Sequence, residues 1–229
     1  MFGLLLESFP AASVLPGSEI PSWRCGAASS IDPDVLVGIL RPETNLAIWH
    51  RDIPEALSRA LAPLADEAPF TATAEEEDPE LAVDALAAAL PRPAPLDLLL
   101  DIRRLAIAFA AIADTGGAVR IRLEGIAGPG CHRWHADAVG LRLLCTYRGA
   151  GTEWLPLAGG ALAARGLDGS ALLPTLPARI PRGAVAVLKG EGHPGNAGAG
   201  CIHRSPRIGF RASPRLLLCL DAPGRIPLE

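Results

Sequence analysis

The sequence predicts an α+β protein: a mainly helical region over residues 1–115 and a β-rich region over 116–229, together forming one compact unit. Three features carry this reading. Apolar residues recur at helical spacing behind Asp-Pro starts in the first half, "AVRIRLEGI" alternates strictly at 118–126, and the short apolar runs after it are separated by glycine and proline turns.

In chain order, "IDPDVLVGIL" offers Asp32 as a cap and Pro33 at a first helical position. "NLAIWHRDIPEALSRAL" reads as a short strand ending near Trp49, then a helix from about Pro54. Asp78 and Pro79 repeat the capping device, and Val83, Leu86, Ala87 and Leu90 form one apolar stripe behind them. The acidic run Glu75 to Asp78 then reads as a solvated helix start that complements the helix dipole. Leu98, Ile102, Leu105, Phe109 and Ile112 mark the longest helix, with Gly116 and Gly117 as its stop. Beyond it, Val119, Ile121 and Leu123 face one way and Arg120, Arg122 and Glu124 the other. "LRLLCTY", "AVAVLK" and "RLLLCLD" follow as further strands, and "GHPGNAGAG" is a loop.

Composition narrows the function classes. The 229 residues are 49% hydrophobic with a net charge of −4, enough apolar surface for a core and the wrong sign for a nucleic-acid or anionic-membrane partner. The N-terminal segment lacks a basic leading region, and "LAIAFAAIA" is about half of the ~20 apolar residues a membrane span needs. A cytoplasmic location is expected. Five cysteines without a CxxC pair predict free thiols. No GxSxG, GxxxxGK[ST] or GxGxxG in a suitable setting points to a hydrolase, NTPase or dinucleotide enzyme.

The chemistry-bearing stretch is "CHRWHADAVGLRLLCTY" at 131–147. In an extended strand, positions two apart share a face, so His135 and Asp137 are expected side by side, on the face continued by Val139, Leu141, Leu143, Cys145 and Tyr147. His203, in "CIHRSPR", again leads toward a strand. Two imidazoles and a carboxylate meeting at one point, with open positions left, form the facial donor set of non-haem Fe(II) oxygenases. Cys145 and Cys219, among leucines, read as small buried hydrophobes. His50, His132 and His193 read as boundary or loop residues, and Arg204 and Arg207 as surface.

The order of parts, from HxD through a glycine-rich insertion to a distal histidine and a strand opening on an arginine, resembles the double-stranded β-helix of the Fe(II) and 2-oxoglutarate-dependent oxygenases. "LAIWHRDIP", "CHRWHADAVGLRLLCTYRGAGTEW" and "IHRSPR" further resemble the conserved blocks of a bacterial family catalogued as domain of unknown function 1826, from about residue 45 to 222. The superfamily resemblance implies N-terminal helices on a cupin-like jelly-roll core, with Fe(II) on His135, Asp137 and His203. It also implies 2-oxoglutarate held by Arg215 or Arg211 through its distal carboxylate, and hydroxylation of a small-molecule or protein substrate. Two alternatives stay open. Cys131, Cys201 and His132 crowd the motif, and a zinc site drawn from Cys131, His135, His203 and Cys201 would serve metal storage or sensing. A non-catalytic, cupin-like module binding a ligand or protein is the other.

Overall fold

Two β-sheets face each other across a narrow interior, with helices on the outer face of the larger one. The structure, a computed structural model, describes residues 25–167, 173–207 and 213–223. Asp32 caps a 3-10 helix, Pro33–Leu40, by accepting from the Asp34 amide. The short helices α1 (Glu55–Ala60) and α2 (Ala62–Ala65) follow. Asp78 caps α3 (Pro79–Ala89) by accepting from the amides of Glu80 and Leu81. The longest helix, α4 (Leu96–Ile112), buries Leu98, Ile102, Leu105 and Phe109 as its spacing predicts. Its stop is Asp114 rather than the glycines: Asp114 takes φ 51°, and the Thr115 amide reaches back to the Ala110 carbonyl.

Seven strands make the large sheet: β1 (Ala27–Ser30), β2 (Leu46–Trp49), β3 (Phe70–Glu76), β4 (Val119–Ile126), β5 (Leu141–Arg148), β8 (Val185–Lys189) and β10 (Arg215–Asp221). They lie side by side in the order β1-β2-β8-β5-β10-β4-β3. The small sheet holds β6 (Glu153–Leu155), β7 (Ala178–Arg179) and β9 (Ile202–Arg204) in the order β7-β6-β9, and α5 (Gly160–Leu167) follows β6. A bridge from His135 to His203 extends the small sheet on the far side of β9. From β5 onward the chain passes to and fro between the sheets, so residues remote in sequence meet across the gap.

The N-terminal region is thus less uniformly helical than its periodicity implies. It supplies both edges of the large sheet, β1 and β2 on one side and β3 on the other. Strand β3 was hidden in the sequence by its composition: after Phe70, "FTATAEE" carries only the small Ala72 and Ala74 on its inward face, where α3 presses close. The acidic run ends this strand before Asp78 caps the helix.

One face of the large sheet packs on the helices. Val119, Ile121, Leu123, Leu143, Cys145, Tyr147, Leu216 and Leu218 share one core with Ile39, Leu86, Leu98, Ile102 and Phe109. Each such Leu, Ile or Phe contributes about 1.5–3 kcal/mol on burial. Asp101 of α4 ties the layers together: Arg51 grips it through both guanidinium nitrogens at 2.5 and 2.6 Å, and the Tyr147 hydroxyl donates to it at 2.6 Å. The other face, with Leu144, Leu188, Leu217 and Cys219, turns toward the small sheet, and this side carries the candidate site. Among the described residues, no helix is long and apolar enough to cross a membrane.

Candidate metal centre

His135 and Asp137 do not begin strand β5. The chain bends at 138–140, and β5 starts at Leu141. That break reverses the expected facing: Leu141, Leu143, Cys145 and Tyr147 point at the helices, whereas Arg142 and Leu144 line the cavity with His135 and Asp137. The bend is held by the loop after β8. The amides of Glu191 and Gly192 donate to the carbonyls of Asp137 and Val139 at 2.7 and 3.2 Å. Gly190 permits the approach, since a Cβ there would lie 2.1 Å from the Val139 oxygen.

The ligand atoms of His135, Asp137 and His203 lie within 4.8 Å of one another. The Nδ1 atoms of His135 and His203 each sit 3.0 Å from a backbone carbonyl, of Arg133 and Cys201 respectively. A carbonyl only accepts, so each Nδ1 carries the hydrogen, and a neutral ring then presents its Nε2 lone pair. Those Nε2 atoms face Asp137: His203 is 3.4 Å from Oδ2 and His135 is 3.9 Å from Oδ1. Arg142 donates to Oδ1 at 2.6 Å, while Oδ2 is buried and has no hydrogen-bond partner among the described residues. A buried carboxylate oxygen left unbonded 3.4 Å from the His203 Nε2, with the His135 Nε2 beside the other oxygen, is costly, and this donor set suits a divalent transition metal.

The two imidazoles differ in charge. Burial drives the His203 imidazole down to about 4 against the pull of Asp137, so it is neutral at physiological pH. Burial also depresses His135, but the Cys131 thiol, the Arg133 carbonyl and Asp137 together hold it at about 9. Burial would raise Asp137, yet His203, Arg142 and His135 outweigh it and keep the carboxyl below its usual range.

The three residues open onto a cavity of about 820 Å³, also walled by Arg122, Glu124, Leu144, Thr152 and Ser205. Behind Thr152 and Ser205 lies Arg215, 1% exposed. Its guanidinium donates to the Ala150 carbonyl (2.7 Å), the Ser205 hydroxyl (3.0 Å) and the Thr152 hydroxyl (3.4 Å), and among the described residues it makes no ion pair with a carboxylate. Burial lowers its pKa to about 10. Gly149, at φ 82°, makes room for it: a Cβ would lie 2.8 Å from the Arg215 Cγ. As its strand position predicts, Arg215 shares the cavity-side face with Leu217 and Cys219.

Other predicted ligands are not drawn in. Cys201 is buried against Cys25 within the intersheet core, because its neighbours there are apolar. Cys131 lies 3.7 Å from His135 but on the Nδ1 side of the ring, away from Asp137. His132 is exposed and turns back to the Gly130 carbonyl of its own loop. The four-ligand set of Cys131, His135, His203 and Cys201 is therefore not assembled. Arg211 lies outside the described residues. Arg204, expected on the surface, pairs with Glu153 at 2.8 Å and stacks over Trp134. Arg142 escaped the sequence reading because arginines are abundant here, although an arginine inside "LRLLC" and an aspartate ending "RLLLCLD" signal the buried Arg142–Asp221 pair at 2.7 Å.

A large sheet facing a small one, with two histidines and an aspartate at the gap, defines the class as a mixed α/β protein with a candidate metal centre. The chain belongs to the family described as "Protein of unknown function (DUF1826)", whose sequence profile matches residues 30–221. No curated protein matches it. Among solved structures it is similar to dioxygenase for auxin oxidation 1 from Arabidopsis thaliana, in a binary complex with 2-oxoglutarate. There the identity is 12%, with 87% of this chain and 92% of that one covered, at a TM-score of 0.50. The rice dioxygenase for auxin oxidation is 18% identical at a TM-score of 0.40, covering 75% of this chain, which spans 64% of the rice chain's length. A full-length Neurospora crassa protein in complex with alpha-KG is 13% identical at a TM-score of 0.43, with 89% of this chain and 86% of that one covered. At these identities the likeness is one of fold.

Proposed function

We propose that this protein is a mononuclear non-haem Fe(II), 2-oxoglutarate-dependent dioxygenase on a double-stranded β-helix, with His135, Asp137 and His203 as its metal ligands. The observation that carries the reading is the convergence of the three ligand atoms within 4.8 Å, with the Nδ1 atoms of both imidazoles already committed and, among the described residues, no hydrogen-bond partner for the buried Asp137 Oδ2 beside His203. The alternation of strands between two sheets and the fold shared with the Arabidopsis enzyme support it.

Each residue has a task that its surroundings explain. His203 offers a lone pair already free of a proton, while His135 must release one as a cation arrives. Arg142 holds Oδ1 and leaves Oδ2 for the metal. Arg215, flanked by the Ser205 and Thr152 hydroxyls, is a buried cation suited to the distal carboxylate of 2-oxoglutarate. Leu144 and Leu217 between them provide an apolar floor. When bound, the iron couples oxidative decarboxylation of 2-oxoglutarate to insertion of one oxygen atom from O2 into a substrate C–H bond. The five free thiols fit a reducing, cytoplasmic setting.

Anaerobic titration of the protein with Fe(II) and 2-oxoglutarate tests the assignment. A visible charge-transfer band is expected in the wild type and not in His203→Ala, with succinate released once O2 is admitted. A wild type that binds no Fe(II), or shows neither band nor succinate, contradicts the proposal.

A further inference from the structure

The cavity holds a cation that this chemistry leaves unused. Arg142 is engaged by Asp137 and Asp221, Arg204 by Glu153, and Arg215 stands behind Thr152 and Ser205. Arg122 of β4 also lines the cavity, yet its Nε is buried with no hydrogen-bond partner among the described residues. Among the described residues, its ion-pair partner Glu124 lies 3.4 Å from that Nε without hydrogen-bonding it, and its Nη2 donates only to the Cys219 sulfur, at 3.5 Å. A guanidinium fork so placed lacks the planar, two-pronged acceptor it suits best.

Its position suits substrate rather than co-substrate. In the sheet register Arg122 stands opposite Cys219, and Cys219 opposite Leu144, which places the Arg122 backbone roughly 10 Å from Leu144 at the usual strand spacing. Beyond β4, the sheet face of β3 at Thr71 and Thr73 is exposed, since the small sheet covers only the other end, and the cavity opens on that side.

Resting on the oxygenase reading, we infer that Arg122 is the substrate anchor and that the substrate is a small molecule bearing a carboxylate. Its acid group docks on Arg122 in place of Glu124, and its carbon skeleton reaches from there toward His135, Asp137 and His203. Glu124 competes for the same fork and weeds out weak anions.

The probe is 4-fluorobenzoate, followed by 19F NMR, with neutral 4-fluorobenzamide as its isostere. In protein loaded with Mn(II) and 2-oxoglutarate, which fills the Arg215 site, saturable paramagnetic broadening of the benzoate but not the benzamide is expected. Arg122→Gln should weaken benzoate binding about tenfold or more, Arg122→Lys less, and Glu124→Gln should tighten it. The same titration in metal-free protein, read as a 19F shift, isolates Arg122 from the metal. Equal binding of the benzamide, or benzoate binding that survives Arg122→Gln in a folded variant, overturns the inference while Mn(II) binding stands. Loss of Mn(II) binding with an Arg122-dependent shift overturns the oxygenase reading and leaves the anion site in place.

Discussion

Arg215→Met separates co-substrate binding from folding. Arg215 is a base whose folded pKa, about 10, lies below the ordinary arginine range. Its charge therefore opposes folding by about 3 kcal/mol, fully below pH 10 and fading as the pH climbs into the ordinary arginine range. Methionine removes that penalty and keeps most of the volume, but it leaves the Ala150 carbonyl and the Ser205 and Thr152 hydroxyls short of a donor, at about 1 kcal/mol each. The two effects nearly cancel, so the stability of the ligand-free protein should move by less than about 2 kcal/mol. Arg142→Met is the contrast: it strands Asp221 and Asp137 and should cost about 3–5 kcal/mol. In wild type with Mn(II), 2-oxoglutarate at a hundred times its Kd adds about 2.7 kcal/mol. That corresponds to a rise of roughly 5–10 °C in Tm for a chain of this size. Thermal unfolding by circular dichroism, with and without Mn(II) and 2-oxoglutarate, reads all three proteins. Protection that persists in Arg215→Met, or a ligand-free Arg215→Met as damaged as Arg142→Met, would show that Arg215 does not hold the co-substrate in this way.

Because His135 holds its proton up to about pH 9, Mn(II) must displace it below that pH. Affinity is expected to fall about tenfold per unit from pH 9 to pH 6, and calorimetry showing a flat profile would contradict this. Tyr147→Phe removes the hydroxyl on Asp101 and should cost about 1 kcal/mol, and Asp101→Ala, which strands Arg51, about 3 kcal/mol. Both lie on the helix side of the sheet, so denaturant melts should shift while Mn(II) affinity stays constant. Gly190→Ala drives a methyl group into the carbonyls of Asp137 and Val139, and is expected to weaken Mn(II) binding more than it lowers the denaturation midpoint, the reverse of Asp101→Ala.

Much of the framework was legible because it depends on local periodicity. The alternation of Val119, Ile121 and Leu123, the capping by Asp78 and the stripe of α4 each arise from the repeat of a single element, and each is present. Where the reading slipped, contacts from elsewhere in the chain were responsible. Strict alternation carried His135 and Asp137 onto the helix-facing side of β5, but the loop at Gly190 to Gly192 breaks the strand at 138–140 and turns them to the other. Cys201 shares its parity with His203, yet Cys25 and the apolar residues around it occupy its side chain.

Which donors are on offer is written in the residues, since the HxD pair, His203 and the arginine opening the last strand are chemical identities that no folding alters. They also set the class of elements, because helix and strand periods lie in neighbouring residues. Which donors meet depends instead on long-range pairing. The chain passes repeatedly between two sheets, and that pairing brings His203 against His135 and, among the described residues, leaves Asp137 Oδ2 without a partner and buries Arg215 without a carboxylate. Distances set by strand pairing across tens of residues, and the loss of water that makes an unpaired charge costly, exist only once the sheets have closed.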